Sequence, residues 1–136
     1  MVRIDIDYKG GLRCRATHGP SGQTLITDAP VDNQGKGESF SPTDLAATAL
    51  GACVLTIMGI YAQREGISLE GLKAKVGKIM SSDAPRRIAR VELEFTMPAG
   101  LDARRRQALE ECAETCPVRR SIHPQIEVPI TFRYPD

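Results

Sequence analysis

The sequence predicts an α+β fold in which strands come in runs separated by two helices. Three observations carry this. Apolar and polar residues alternate at both ends of the chain; a strong helix start, "SPTDL", leads into an uncharged stretch from Leu45 to Gln63; and a second helix with an apolar stripe follows a pair of strands. The order reads βββ-α-ββ-α-β, with no internal repeat and no low-complexity segment. One domain is expected over the 136 residues, 1–136.

The first eighteen residues read as a hairpin. Val2, Ile4, Ile6 and Tyr8 alternate with charged residues, and after "GG" so do Leu12, Cys14, Ala16 and His18. A three-residue loop, Lys9-Gly10-Gly11, pairs Tyr8 with Leu12, Ile6 with Cys14 and Ile4 with Ala16. It also sets Asp7 opposite Arg13 and Asp5 opposite Arg15, while a two-residue loop would put Tyr8 against Arg13. A third strand is expected near Gln23–Thr27. Residues 28–40, "DAPVDNQGKGESF", are polar and rich in turn formers, hence a loop.

Ser41 can cap the first helix, Pro42 suits its first position, and Asp44 stands three residues after the cap. The helix is expected to run to about Arg64, with Gly66 ending it. Apolar residues on nearly every side predict a central, buried helix. Two strands follow, about Gly71–Met80 and Arg86–Met97, the second with Val91, Leu93, Phe95 and Met97 on one face. Asp102 caps a second helix, on which Leu109, Cys112, Ala113 and Cys116 fall at i, i+3, i+4 and i+7. Pro117 interrupts it. The last strand carries Ile126, Val128, Ile130 and Phe132, and Pro129 suggests an edge position.

The net charge of +1 argues against nucleic acid as the main partner, because there is no basic excess to neutralise phosphates. The opening "MVRIDIDYKG" alternates where a signal peptide would carry an apolar core, which sets the expectation of a cytoplasmic, reducing setting. The uncharged run reaches the length of a membrane span. It is dominated by Ala, Gly and Thr and is not flanked like an anchor, so no membrane is expected. Aromatics are scarce and Trp is absent. A core of Ala, Leu, Ile and Val suits tight helix packing, or a dimer that completes each subunit's core.

Four cysteines, at 14, 53, 112 and 116, are then free, catalytic or metal-bound rather than a disulfide framework. Cys14 and Cys112 read as small core residues. Cys53 lies in "TALGACVLTIMG" and is either packing or a nucleophile that needs a cation brought to it, from Arg13, Arg15, Arg119 or Arg120. Cys116 stands in "ETCPVRRS". If Pro117 opens a new helix, Cys116 caps it and is biased toward thiolate; if Cys116 ends the preceding helix, the dipole opposes ionisation. A zinc site from Cys112, Cys116 and His18 or His123 lacks the usual C-x-x-C spacing. No phosphate-binding glycine motif and no G-x-S-x-G are present. No metal and no cofactor are therefore expected.

Two segments together resemble the OsmC/Ohr family, named for an osmotically inducible protein and for organic hydroperoxide resistance. "FSPTDLAATALGACVLTIMGIYAQREG" resembles its first cysteine helix, and "LEECAETCPVRRSI" its second cysteine segment; "RRIARVELEFTMPAGLD" fits the strand between them. The resemblance runs over essentially the whole chain and is nearest to a divergent "SPTDL…GAC" branch. It implies an intertwined α+β homodimer, its two helices packed centrally against antiparallel sheet. It implies a thiol peroxidase serving oxidative-stress defence. Cys53 would attack an organic hydroperoxide and become a sulfenic acid, Cys116 would resolve it to a disulfide, and an external dithiol such as a lipoylated protein would reduce that bond. Family peroxidases activate the first cysteine with an Arg and a Glu. Arg13 or Arg15 stands near the Arg position. The Glu position is Thr43 here, with Asp44 adjacent and Glu38 in the loop as a substitute carboxylate. The competing reading is a non-catalytic OsmC-like module that binds a small apolar ligand in a dimer cleft.

Overall fold

The computed structural model describes residues 1–136 and divides into two compact units, Met1–Ala46 and Ala47–Asp136. The first holds an antiparallel sheet in the order β1 (Ile4–Gly10), β2 (Arg13–His18), β3 (Thr24–Thr27). The hairpin register differs from the expected one by two residues: Tyr8 faces Cys14, Ile6 faces Ala16, and Ile4 faces His18. The loop is the two-residue Gly11-Leu12, and both residues adopt left-handed backbone, with φ of 61° and 64°. That is the geometry of a turn whose twist matches the strands. A bulge between Tyr8 and Gly10 supplies the extra residue that keeps both faces intact. The charged pairs change accordingly. Asp7 now faces Arg15, Asp5 faces Thr17, and Arg13 is released for other partners.

Helix α1 (Pro42–Glu65) begins as its sequence dictates. The Ser41 hydroxyl accepts from the Asp44 N–H at 3.1 Å, and the Asp44 carboxylate accepts from the Ser41 N–H at 2.9 Å. Two otherwise unpaired amides are satisfied reciprocally.

In the second unit β4 (Lys73–Met80) and β5 (Ile88–Thr96) pair antiparallel, helix α2 (Ala103–Thr115) follows, and β6 (Ile130–Arg133) returns alongside β5. The β5–β6 pairing is parallel, because a helix crosses between the two strands. β6 is an edge strand, as Pro129 suggested. Asp102 caps α2, its side chain accepting from the Arg105 N–H at 2.9 Å.

The core gathers on β5. Val91, Leu93 and Phe95 point one way into it, and Phe95 stacks on Phe132 with ring centroids 5.6 Å apart. Ala47, Leu50, Val54 and Met58 of α1 meet them, with Leu109, Cys112 and Ala113 of α2. One face of α1 is buried. Ala49, Ala52, Thr56 and Ile60 stay exposed, so a single chain does not enclose this helix as its all-round apolar surface predicted.

α1 approaches the sheet closely at Gly51. A Cβ built there would lie 2.7 Å from the Val76 Cγ2. Gly51→Val places a branched side chain in that gap and is expected to lower stability by about 2 kcal/mol, read as a shift of the urea unfolding midpoint with unchanged slope. An unchanged midpoint would show that the helix can lift off the sheet without cost.

Candidate active site

Cys53 lies two residues beyond Gly51 and packs, half-buried, against the core. Cys116 is fully buried at the end of α2. The two thiols meet: Cys116 is hydrogen-bonded with Cys53, and both are free rather than joined.

The local sequence explains how Cys116 is presented. A residue before proline is pushed out of helical backbone. Cys116 has φ −62° and ψ 143°, and its N–H makes the closing bond of α2, to the Cys112 carbonyl at 3.1 Å. Pro117 then opens a short turn in which the Cys116 sulfur accepts from the Arg119 N–H at 3.3 Å. The two alternatives left open by the sequence are both realised: Cys116 ends one helix and caps the turn that follows.

Burial raises the Cys116 thiol above its ordinary range. The Arg119 N–H acts against that, and the hydrogen bond and charge of Cys53 raise it further. A proton therefore stays on Cys116 while negative charge sits on Cys53. Cys112 is also raised, chiefly by burial, and its Sγ is turned to the Ala108 carbonyl at 3.4 Å. It has the packing role expected of it.

Arg13 and Glu38 come together in the first unit. The Arg13 Nη2 donates to Glu38 Oε2 at 2.7 Å and to Asp28 Oδ2 at 3.4 Å. Asp28 is 1% exposed, and its Oδ2 also accepts from the Glu38 N–H at 3.0 Å. It is held below the usual carboxylate range, first by that backbone bond and then, against burial, by the Arg13 charge. Arg13 is raised in turn, mainly by Glu38. Sequence reasoning missed Asp28. The available signal was an acid directly after a strand, at the mouth of a loop carrying a second acid. Arg15 is exposed, opposite Asp7, and joins neither group. Thr43 lies in the first turn of α1, its hydroxyl 3.2 Å from that of Ser41. No three His, Cys, Asp or Glu side chains converge as a metal ion would require, so the zinc alternative from Cys112, Cys116 and a histidine finds no site.

The architecture and the cysteine pair are those of one family. The family model described as OsmC-like protein matches residues 35–131, and the chain belongs to that family. Among solved structures, it is similar to a Psychrobacter arcticus protein provisionally described as an osmotic stress induced and detoxification response protein. That likeness has 46% identity, 98% of this chain and 96% of that one covered, and a TM-score of 0.92. An organic hydroperoxide resistance protein OsmC from Legionella pneumophila shares the fold at 19% identity, covering 97% and 96%, with a TM-score of 0.76. One from Elizabethkingia anophelis, with thiocyanate bound, does so at 21% identity, covering 98% and 96%, with a TM-score of 0.74. No curated protein matches the chain.

The buried thiols make the fold sensitive to alkali. Cys112 and Cys116 hold their protons above the usual thiol value of 9.0, so the folded state binds more protons than the unfolded chain there. Their contribution is intact below pH 9.0 and falls as pH rises through the folded-state values. Thermal melts from pH 8 to 11 are expected to show this decline, and Cys112→Ala to make it shallower; equal slopes would mean that Cys112 ionises without opposition from the fold.

Proposed function

We propose that this chain is a thiol peroxidase for organic hydroperoxides, acting in oxidative-stress defence. The observation that carries the reading is the direct contact of two free thiols, one half-buried and one fully buried with its proton retained. The Cys53 thiolate attacks the distal oxygen of ROOH, the O–O bond breaks, and ROH leaves after taking one proton. Cys53 becomes a sulfenic acid. The Cys116 thiol attacks that sulfur, water departs, and a Cys53–Cys116 disulfide forms. An external dithiol then returns the pair to thiols.

The apolar surroundings of Cys53 suit a substrate with an apolar tail. Arg13, fixed by Glu38 and Asp28, is the cation assigned to the Cys53 thiolate, and Glu38 takes the part of the carboxylate that Thr43 lacks. A homodimer fits the exposed apolar residues Ile4, Ile6 and Tyr8 of β1 and the exposed side of α1. The names of the hydroperoxide-resistance relatives agree with this chemistry.

The test is intact mass and non-reducing peptide mapping after one equivalent of cumene hydroperoxide. The expected product has lost two hydrogens and carries a Cys53–Cys116 link. Cys53→Ser is expected to abolish peroxide consumption. Cys116→Ser should stop at one added oxygen and proceed more easily to sulfinate. Glu38→Gln, which removes the charge holding Arg13, is expected to slow the first oxidation about tenfold. A mass unchanged over many minutes would overturn the enzyme and put the ligand-binding module in its place.

A further inference from the structure

Beside the Cys116 turn lies a cleft of about 420 Å³, lined by Glu114, Arg119, Arg120, Ile122 and Pro124. Its two guanidinium groups have no acid partner. The bonds made by Arg119 and Arg120 in the chain come from their main-chain N–H groups, to the Cys116 sulfur at 3.3 Å and the Cys116 carbonyl at 3.1 Å. The Arg119 Nε is buried with no hydrogen-bond partner at all. A buried donor left unmatched is costly and rare, and two cations against the single carboxylate of Glu114 leave an excess of positive charge. Elsewhere the arginines Arg13, Arg87, Arg90, Arg106 and Arg133 are each matched by a carboxylate. The cleft shares Arg119 with the resolving cysteine, so a ligand seated there lies against the turn that holds Cys116.

We propose that this cleft binds the anionic end of the thiol that regenerates the enzyme, so that a donor carrying a carboxylate is preferred to a neutral one. The inference rests on the peroxidase reading above and names the donor's chemical class. In the oxidised protein the donor's thiolate attacks the Cys53 sulfur, since Cys53 is half-buried and Cys116 fully so. The Cys53–Cys116 bond breaks, and Cys116 leaves as a thiolate that accepts the Arg119 N–H before taking a proton. The donor's second thiol then attacks its own sulfur in the mixed disulfide and releases the Cys53 thiolate. Two electrons pass to the protein, and the donor closes to a cyclic disulfide.

Dihydrolipoate and dihydrolipoamide differ only in the charge at the end remote from sulfur. With the disulfide form of the full chain, kcat/KM for dihydrolipoate is expected to exceed that for dihydrolipoamide about tenfold, and added salt should narrow the gap. Arg119→Gln and Arg120→Gln, which keep the main-chain bonds to Cys116, should bring the ratio close to one. Taking a ratio within each protein cancels any general loss of fold or activity. Titrating the reduced protein with oxidised lipoate and with lipoamide reads the cleft without turnover. Binding of lipoate alone, lost in the Gln variants, supports the proposal even where no peroxide is consumed; peroxide consumption alone decides the peroxidase reading. Equal rates and equal binding for the two probes would overturn the anion site. So would Gln variants that change the oligomeric state and leave the ratio intact, since the guanidinium groups would then be partners of a second subunit.

Discussion

The close seating of α1 on the second sheet is the constraint on which the rest of this unit depends. Gly51 has no side chain to hold the helix away from Val76, and Leu50, Val54 and Met58 reach the β5 row because the gap is narrow. A helix held that near its sheet fixes Cys53 in both height and rotation. It then needs only a partner sulfur at the matching level, and the end of α2 supplies one. The meeting of the two thiols is therefore a property of the core, set by packing rather than by any bond between them.

The presentation of Cys116 follows from proline chemistry. Pro117 makes the preceding residue leave helical backbone, and the change of direction turns its sulfur toward the Arg119 amide. Burial and that amide act on the thiol in opposite senses, with burial the stronger. The first unit solves a different problem. Its Asp28 carboxylate is satisfied by the loop backbone and by Arg13, so the guanidinium that bridges to Glu38 is held at both ends. The loop after β3 is ordered from within by a single acid that is nearly unexposed.

What was legible in the sequence was local. Ser41 and Asp44, and Asp102 before its helix, announce their roles through side chains that reach the nearest amides, and the structure shows those bonds. The hairpin register was misread because alternation cannot reveal a bulge, and nothing in Leu12 signals a left-handed backbone. The direction of β6 was equally hidden, since a strand's alternation is the same in both orientations. Arg13 was assigned an ordinary cross-strand partner when its acids lay in a loop with no periodicity to read. The pairing of Cys53 with Cys116 was legible only through the family resemblance, because no spacing rule joins a helix interior to a helix end so far along the chain.

The double duty of Cys116 has a thermodynamic consequence. The bond from the Arg119 amide to its sulfur is made by the reduced residue in the geometry described here. Any stabilisation specific to that form counts against the disulfide and raises the reduction potential of the pair. A turn of backbone thus tunes the ease with which electrons return to the protein, and the oxidised form is biased toward being short-lived.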